Sequence, residues 1–155
     1  MRGSGTGRGG AAVGVLDDLG PTEMAAVLYL RLWCDGAQAQ QRVWNDFAGA
    51  LGAGHGRTAL NSLESLCRLC ADHGRRPLMR HGVKCRCLGA DEACFANFVA
   101  AAADGDTEDA MLLATLLVRA DIAPCLLDAA RSLGLALRRL AIAEAGGQPR
   151  QQTLH

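Results

Sequence analysis

Lysine is almost missing from this chain of 155 residues: of 16 basic residues only Lys84 is a lysine. With so much Ala, Gly and Leu, the preference for arginine reads as GC-rich coding, and no function follows from it. Net charge is missing as well. Sixteen basic residues stand against sixteen acidic ones, so no field over the whole molecule draws it to nucleic acid or to an anionic membrane. Aromatic residues make up only 4%, and none falls among the clustered arginines, so stacking on bases is not expected. No apolar run is long enough to span a bilayer. The basic, Gly-rich start Met1–Gly10 is not followed by a compact apolar stretch and cleavage site, so a signal peptide is not expected. The expectation is a cytoplasmic chain with reduced thiols.

Catalytic signatures are lacking too. There is no His-Glu-x-x-His, no Gly-x-Ser-x-Gly, no Walker loop and no paired-carboxylate arrangement, which leans away from an enzyme. Gly52-x-Gly54-x-Gly56 follows a helix and lacks a closing Lys-Ser/Thr, so it is read as a connector, with Thr58 capping the helix beyond it.

What is present is apolar residue, at 50% of the chain, enough for one domain with a sizeable core. Residues 1–15 have few large side chains and are expected to be disordered. The single helical domain is expected over 16–145, and 146–155 as a flexible tail. Pro21-Thr22-Glu23 opens a first helix that runs to Trp33, apolar on nearly every side and so expected at the centre. A second helix follows Asp35-Gly36 with a stripe of Val43, Trp44, Phe47, Ala48 and Leu51. A third carries Leu60, Leu63, Leu66, Cys67 and Cys70 inward, with Glu64 and Arg68 paired on its outer face. A fourth spans 90–103. A fifth, around 111–118, is apolar all round and expected to be buried. A sixth opens near Asp121 and Pro124, with a stripe of Leu126, Ala130, Leu133, Leu137 and Leu140. The fold class is all-α, a compact bundle or orthogonal array of about six helices.

One segment lacks helical periodicity. Residues 75–89 hold Arg75, Arg76, Arg80, Lys84 and Arg86, with His81 among them and no acid. Connections this long in a compact domain are usually functional or disordered. Leu78, Met79 and Val83 are apolar enough to pin this one down. Its side chains can grip a phosphate or an acidic partner, bidentately where geometry allows. The leading expectation is a small helical interaction or regulatory module using this stretch as its contact surface.

The seven cysteines supply alternatives. Cys67-x2-Cys70 and Cys85-x-Cys87 offer four soft ligands for zinc, with an iron–sulfur cluster less favoured and Cys94 or His73 as substitutes. Against this, Cys67 and Cys70 also suit ordinary core packing. A thiol enzyme or redox sensor at Cys85 or Cys87 is the third reading. Arg31, inside the most apolar helix, must find a partner for its charge.

Overall fold

The computed structural model describes the backbone of residues 8–153 and the side chains of residues 9–144. Gly20, extended, precedes Pro21, whose fixed φ suits a first helical turn. Helix α1 (Pro21–Trp33) follows, then α2 (Ala37–Leu51), α3 (Ala53–His73), α4 (Ala90–Asp104), α5 (Thr107–Leu117) and α6 (Leu127–Thr153). Two short strands, β1 (Ala12–Val15) and β2 (Cys87–Gly89), pair antiparallel.

Helix α1 lies inside, as its all-round apolar surface requires, packed on α4, α6 and α2. Ala26, Val27, Tyr29, Leu30, Arg31 and Leu32 are all buried along it. Around it pack α2 against α3, α3 against α6, and α4 against both α5 and α6. Phe47, Phe95, Phe98, Leu63, Leu66, Leu133 and Leu137 are fully buried, each contributing about 1.5–3 kcal/mol relative to exposure. The whole predicted stripe of α6 is in the core. Among the described residues, no helix is long and apolar enough to cross a membrane.

Four features depart from the sequence expectations. Only Gly52 of the glycine cluster interrupts the helices, at φ 88°, a left-handed conformation that side chains resist. Helix α3 then begins at Ala53, so Thr58 sits a turn inside and bonds back to the Gly54 carbonyl at 3.2 Å. Helix α5 is peripheral, because Leu112 and Leu116 are about two-thirds exposed (66% and 65%). The tail, expected to be flexible over 146–155, continues α6 in helical form to Thr153.

The fourth departure bears on the site. Residues 1–7 and 154–155 lie outside the described residues, but 8–15 do not lack structure: a 3-10 turn over Arg8–Gly10 leads into β1. Backbone bonds Leu16 N–H to Arg86 O (2.8 Å) and Ala90 N–H to Ala11 O (3.0 Å) extend the pairing at both ends. A small-residue segment that buries little by itself is held because the 75–89 stretch presents it with an unpaired strand.

Candidate functional site

The 75–89 stretch is built onto the domain by charges that it does not itself contain. Its N-terminal end is tied to the end of α5 by an antiparallel bridge of Gly74 with Val118 and by Arg75 N–H to Leu117 O at 3.2 Å. Its C-terminal end is β2. Between them, the inward side of the stretch is fixed by Arg31 of α1 and by the two acids of the first turn of α4.

Arg31 is 2% exposed and spends all five guanidinium N–H groups. Nε donates to Glu92 Oε2 at 2.7 Å and Nη2 to Glu92 Oε1 at 2.8 Å. The remaining donors go to backbone carbonyls of the stretch: Gly82 at 3.1 Å, Cys85 at 2.6 Å and Cys87 at 2.8 Å. Glu92 in turn accepts from the backbone N–H groups of Gly89 and His81, each at 3.0 Å. Burial opposes the Glu92 charge, but the hydrogen bonds from Arg31, Gly89 and His81 outweigh it and hold the carboxyl below its ordinary value. The Gly89 bond is also half of a capping box, with Glu92 at the third position of α4. The charge on Arg31 thus has the carboxylate partner that its burial demanded.

Asp91 performs the same office for the first half of the stretch. It takes Arg76 bidentately (2.6 and 2.8 Å) and accepts from Met79 N–H at 2.8 Å. Gly9 presses on this pair: a Cβ there would overlap the Asp91 carboxylate and the Arg76 guanidinium, so any larger residue must displace them or the turn. Arg86 pairs with Asp17 on the surface. The basic residues therefore divide. Arg76 and Arg86 are neutralised, while Arg75, Arg80 and Lys84 have no carboxylate partner among the described residues. Arg75 Nε donates to the Thr115 carbonyl, and Arg80 reaches only Leu78 O at 3.4 Å.

Beneath these arginines lies a pocket of about 510 Å³. Arg75, Arg76 and Arg80 stand along it, Leu30, Leu78 and Phe95 give it apolar walls, and Cys34, Cys67 and Cys70 share the lining. His81, Lys84 and Arg86 do not line it. A pocket of this size with a few charged groups over an apolar floor suits a small ligand or one anchoring side chain.

The cysteines fall into separate neighbourhoods. Cys34, exposed just past the end of α1, shares a pocket lining with Cys67 of α3. The Cys67 thiol, with help from Arg80 and against burial, lowers the Cys34 thiol to about 7. The Cys34 thiol and then burial push Cys67 up. Burial pushes Cys70 and Cys94 up to about 11. Cys85 Sγ instead faces His81 Nδ1 at 3.8 Å, while His81 Nε2 lies 3.0 Å from Gly10 O. Cys87 is exposed on β2 and Cys94 Sγ meets Leu113 O at 3.6 Å. The four cysteines proposed as zinc ligands are not brought together: among the described residues, no three of His, Cys, Asp or Glu, the substitutes Cys94 and His73 included, converge enough to hold a metal ion.

Two elements of the site escaped the sequence reading. The acids at 91 and 92 carried a signal, since they open a helix directly after a basic stretch and Glu92 occupies the capping-box position. Cys34 carried none, because its nearness to Cys67 arises only from the packing of α1 on α3. Compared with known proteins, the chain matches no family model, no curated protein and no solved structure.

Proposed function

We propose that this protein is a small helical interaction module whose contact surface is the 75–89 stretch, and that it binds an acidic segment of a partner protein. The observation that carries this is the position of Arg75 and Arg80. They are charged, exposed and without a carboxylate partner among the described residues, and they stand over a pocket with apolar walls. The backbone bearing Arg80 is held by Asp91 and Glu92 on either side, at Met79 and His81. A ligand therefore meets a surface already in place and need not order it, which lowers the cost of binding. The occupant that fits is a peptide with one or two carboxylates at the rim and one apolar side chain inserted toward Leu30, Leu78 and Phe95. On this reading the protein works in the cytoplasm, where free thiols persist.

The test uses an Arg75→Ala/Arg80→Ala variant, which leaves the Arg76–Asp91 pair intact. Pull-downs with wild type and variant identify the partner, and its acidic segments are then titrated as synthetic peptides. The variant should fold normally and bind at least about tenfold more weakly, the equivalent of about 1.4 kcal/mol. Equal affinity for both proteins would overturn the reading.

A further inference from the structure

We infer that Cys34 and Cys67 form a thiol–disulfide exchange site, Cys34 attacking and Cys67 resolving, and that its substrate is a small anionic disulfide. The inference shares the arginine rim with the interaction surface but not its partner. Exchange can therefore fail while partner binding holds, and the reverse.

The placement of the two thiols comes first. Cys34 follows the last residue of α1 and Cys67 lies in the penultimate turn of α3; both line one pocket. Their surroundings differ in the way an attacking and a resolving thiol require. Cys34 is exposed and Cys67 is half-buried. The neighbouring Cys67 thiol favours a thiolate at Cys34, and the Arg80 guanidinium favours it further. Burial works against that thiolate, and these two neighbours outweigh it. A thiolate near neutrality keeps both population and nucleophilicity.

The rim defines the substrate class. Arg75 and Arg80, without carboxylate partners among the described residues, border the same pocket. Disulfides carrying carboxylates gain from that charge, and neutral or cationic ones do not. The volume of about 510 Å³ admits one half of such a molecule.

The steps balance. Cys34 thiolate attacks one sulfur of R–S–S–R, a Cys34–S–R bond forms, and R–S⁻ leaves and takes a proton. Once Cys34 is capped, the influence of its thiolate, the first cause of the raised Cys67 thiol, is gone. Cys67 loses its proton to solvent and attacks Cys34 Sγ, forming the Cys34–Cys67 disulfide and expelling the second R–S⁻. The protein loses two electrons and two protons, and the substrate gains them as two thiols.

The experiment treats the reduced full chain, without oxygen, with oxidised glutathione, and maps products by mass spectrometry. Cys34 and Cys67 should be joined, with the protein lighter by two hydrogen atoms. Cys67→Ala should instead accumulate a glutathione adduct on Cys34, and Cys34→Ser should form neither. Arg75→Ala/Arg80→Ala should slow the reaction with oxidised glutathione about tenfold more than the reaction with neutral hydroxyethyl disulfide, which slows only by what Arg80 contributes to the Cys34 thiolate. A readout free of variants is the pH profile of Cys34 alkylation in wild type. The groups facing Cys34 are Cys67 and Cys70 of α3 and Arg80 of the stretch, with Arg75 and the Asp91-paired Arg76 on the same pocket. The midpoint should lie near 7, against about 8.5 for thiols of the denatured chain. A mixed disulfide persisting on Cys34 in wild type, a Cys34 rate no greater than that of exposed Cys125, or equal slowing with both disulfides would each overturn the inference.

Discussion

Arg31 and Glu92 face each other in the interior at 2.7 Å, sixty-one positions apart in the chain (|i−j| = 61), with both side chains fully shielded. Between them they use every guanidinium donor and four carboxylate acceptor positions. A buried ion pair is weak evidence for stability, since desolvation can exceed the Coulombic gain. Breaking one side is another matter.

Glu92→Gln should destabilise the fold by about 3–5 kcal/mol in urea unfolding, because it leaves a buried guanidinium without its counter-charge. Arg31→Met/Glu92→Leu removes both charges but orphans the carbonyls of Gly82, Cys85 and Cys87 and two N–H groups, each worth about 1–3 kcal/mol. Its recovery should be incomplete. A double variant as stable as wild type would show that the pair does not hold the stretch.

Acid should expose the same pair. The folded Glu92 carboxyl lies below its ordinary value, so its contribution is fully present above the unfolded value of about 4.3 and is lost as pH falls through the folded one. Stability plotted against pH should decline below about 4.3 in wild type and decline less steeply in Glu92→Gln. Parallel curves for the two proteins would count against this.

Gly9→Ala probes the N-terminal turn. Its Cβ would overlap Asp91 Oδ2 and Arg76 Nη1, so either their ion pair shifts or the turn lifts; because Met79 N–H and both Arg76 bonds fix Asp91, we expect the turn to lift. Hydrogen exchange at the Leu16 and Ala90 amides, which cross between the segments, should accelerate at least about tenfold while amides of α1 keep their protection. Unchanged exchange at both amides would mean that the turn is not seated there.

The periphery of α5 makes a contrasting prediction. Leu112→Gln and Leu116→Gln should each change stability by no more than about 0.5 kcal/mol. Leu133→Ala, at a fully buried position, should cost about 2–5 kcal/mol. Thermal unfolding of the three variants decides it; a large loss at Leu112 would place that face against something in solution.

Where a single helix decides its own burial, the sequence was readable. The stripes of α2, α3 and α6 follow from 3.6-residue periodicity, and the Glu64–Arg68 pair is present at 3.5 Å. Helix α5 misled because an apolar circumference says how much can be buried and not how much is. The N-terminal strand was hidden for the opposite reason: Ala12–Val15 has little to bury, and its order comes from a distant partner in the chain, with Leu16 N–H bonded to Arg86 O. At the site, the need of Arg31 for a counter-charge was legible and its identity was not. The arginine cluster looked like one patch of charge, and Asp91 and Asp17 divide it into paired and unpaired members. The cysteine spacing suggested two ligand pairs, whereas packing sets Cys67 beside Cys34 and Cys85 beside His81.

The carbonyls that Arg31 holds lie 51, 54 and 56 positions along the chain, and this spacing carries a consequence for assembly. Once the flanking helices are docked, the same bonds need close only the short connection between α3 and α4, which costs less chain entropy. We expect α1, α3 and α4 to dock first and the basic segment to settle onto them late. By the same reasoning it should be the earliest region to detach on warming, so limited proteolysis should cut after its arginines before any helix is cleaved. A protease that nicks α2 or α6 first would reverse that order.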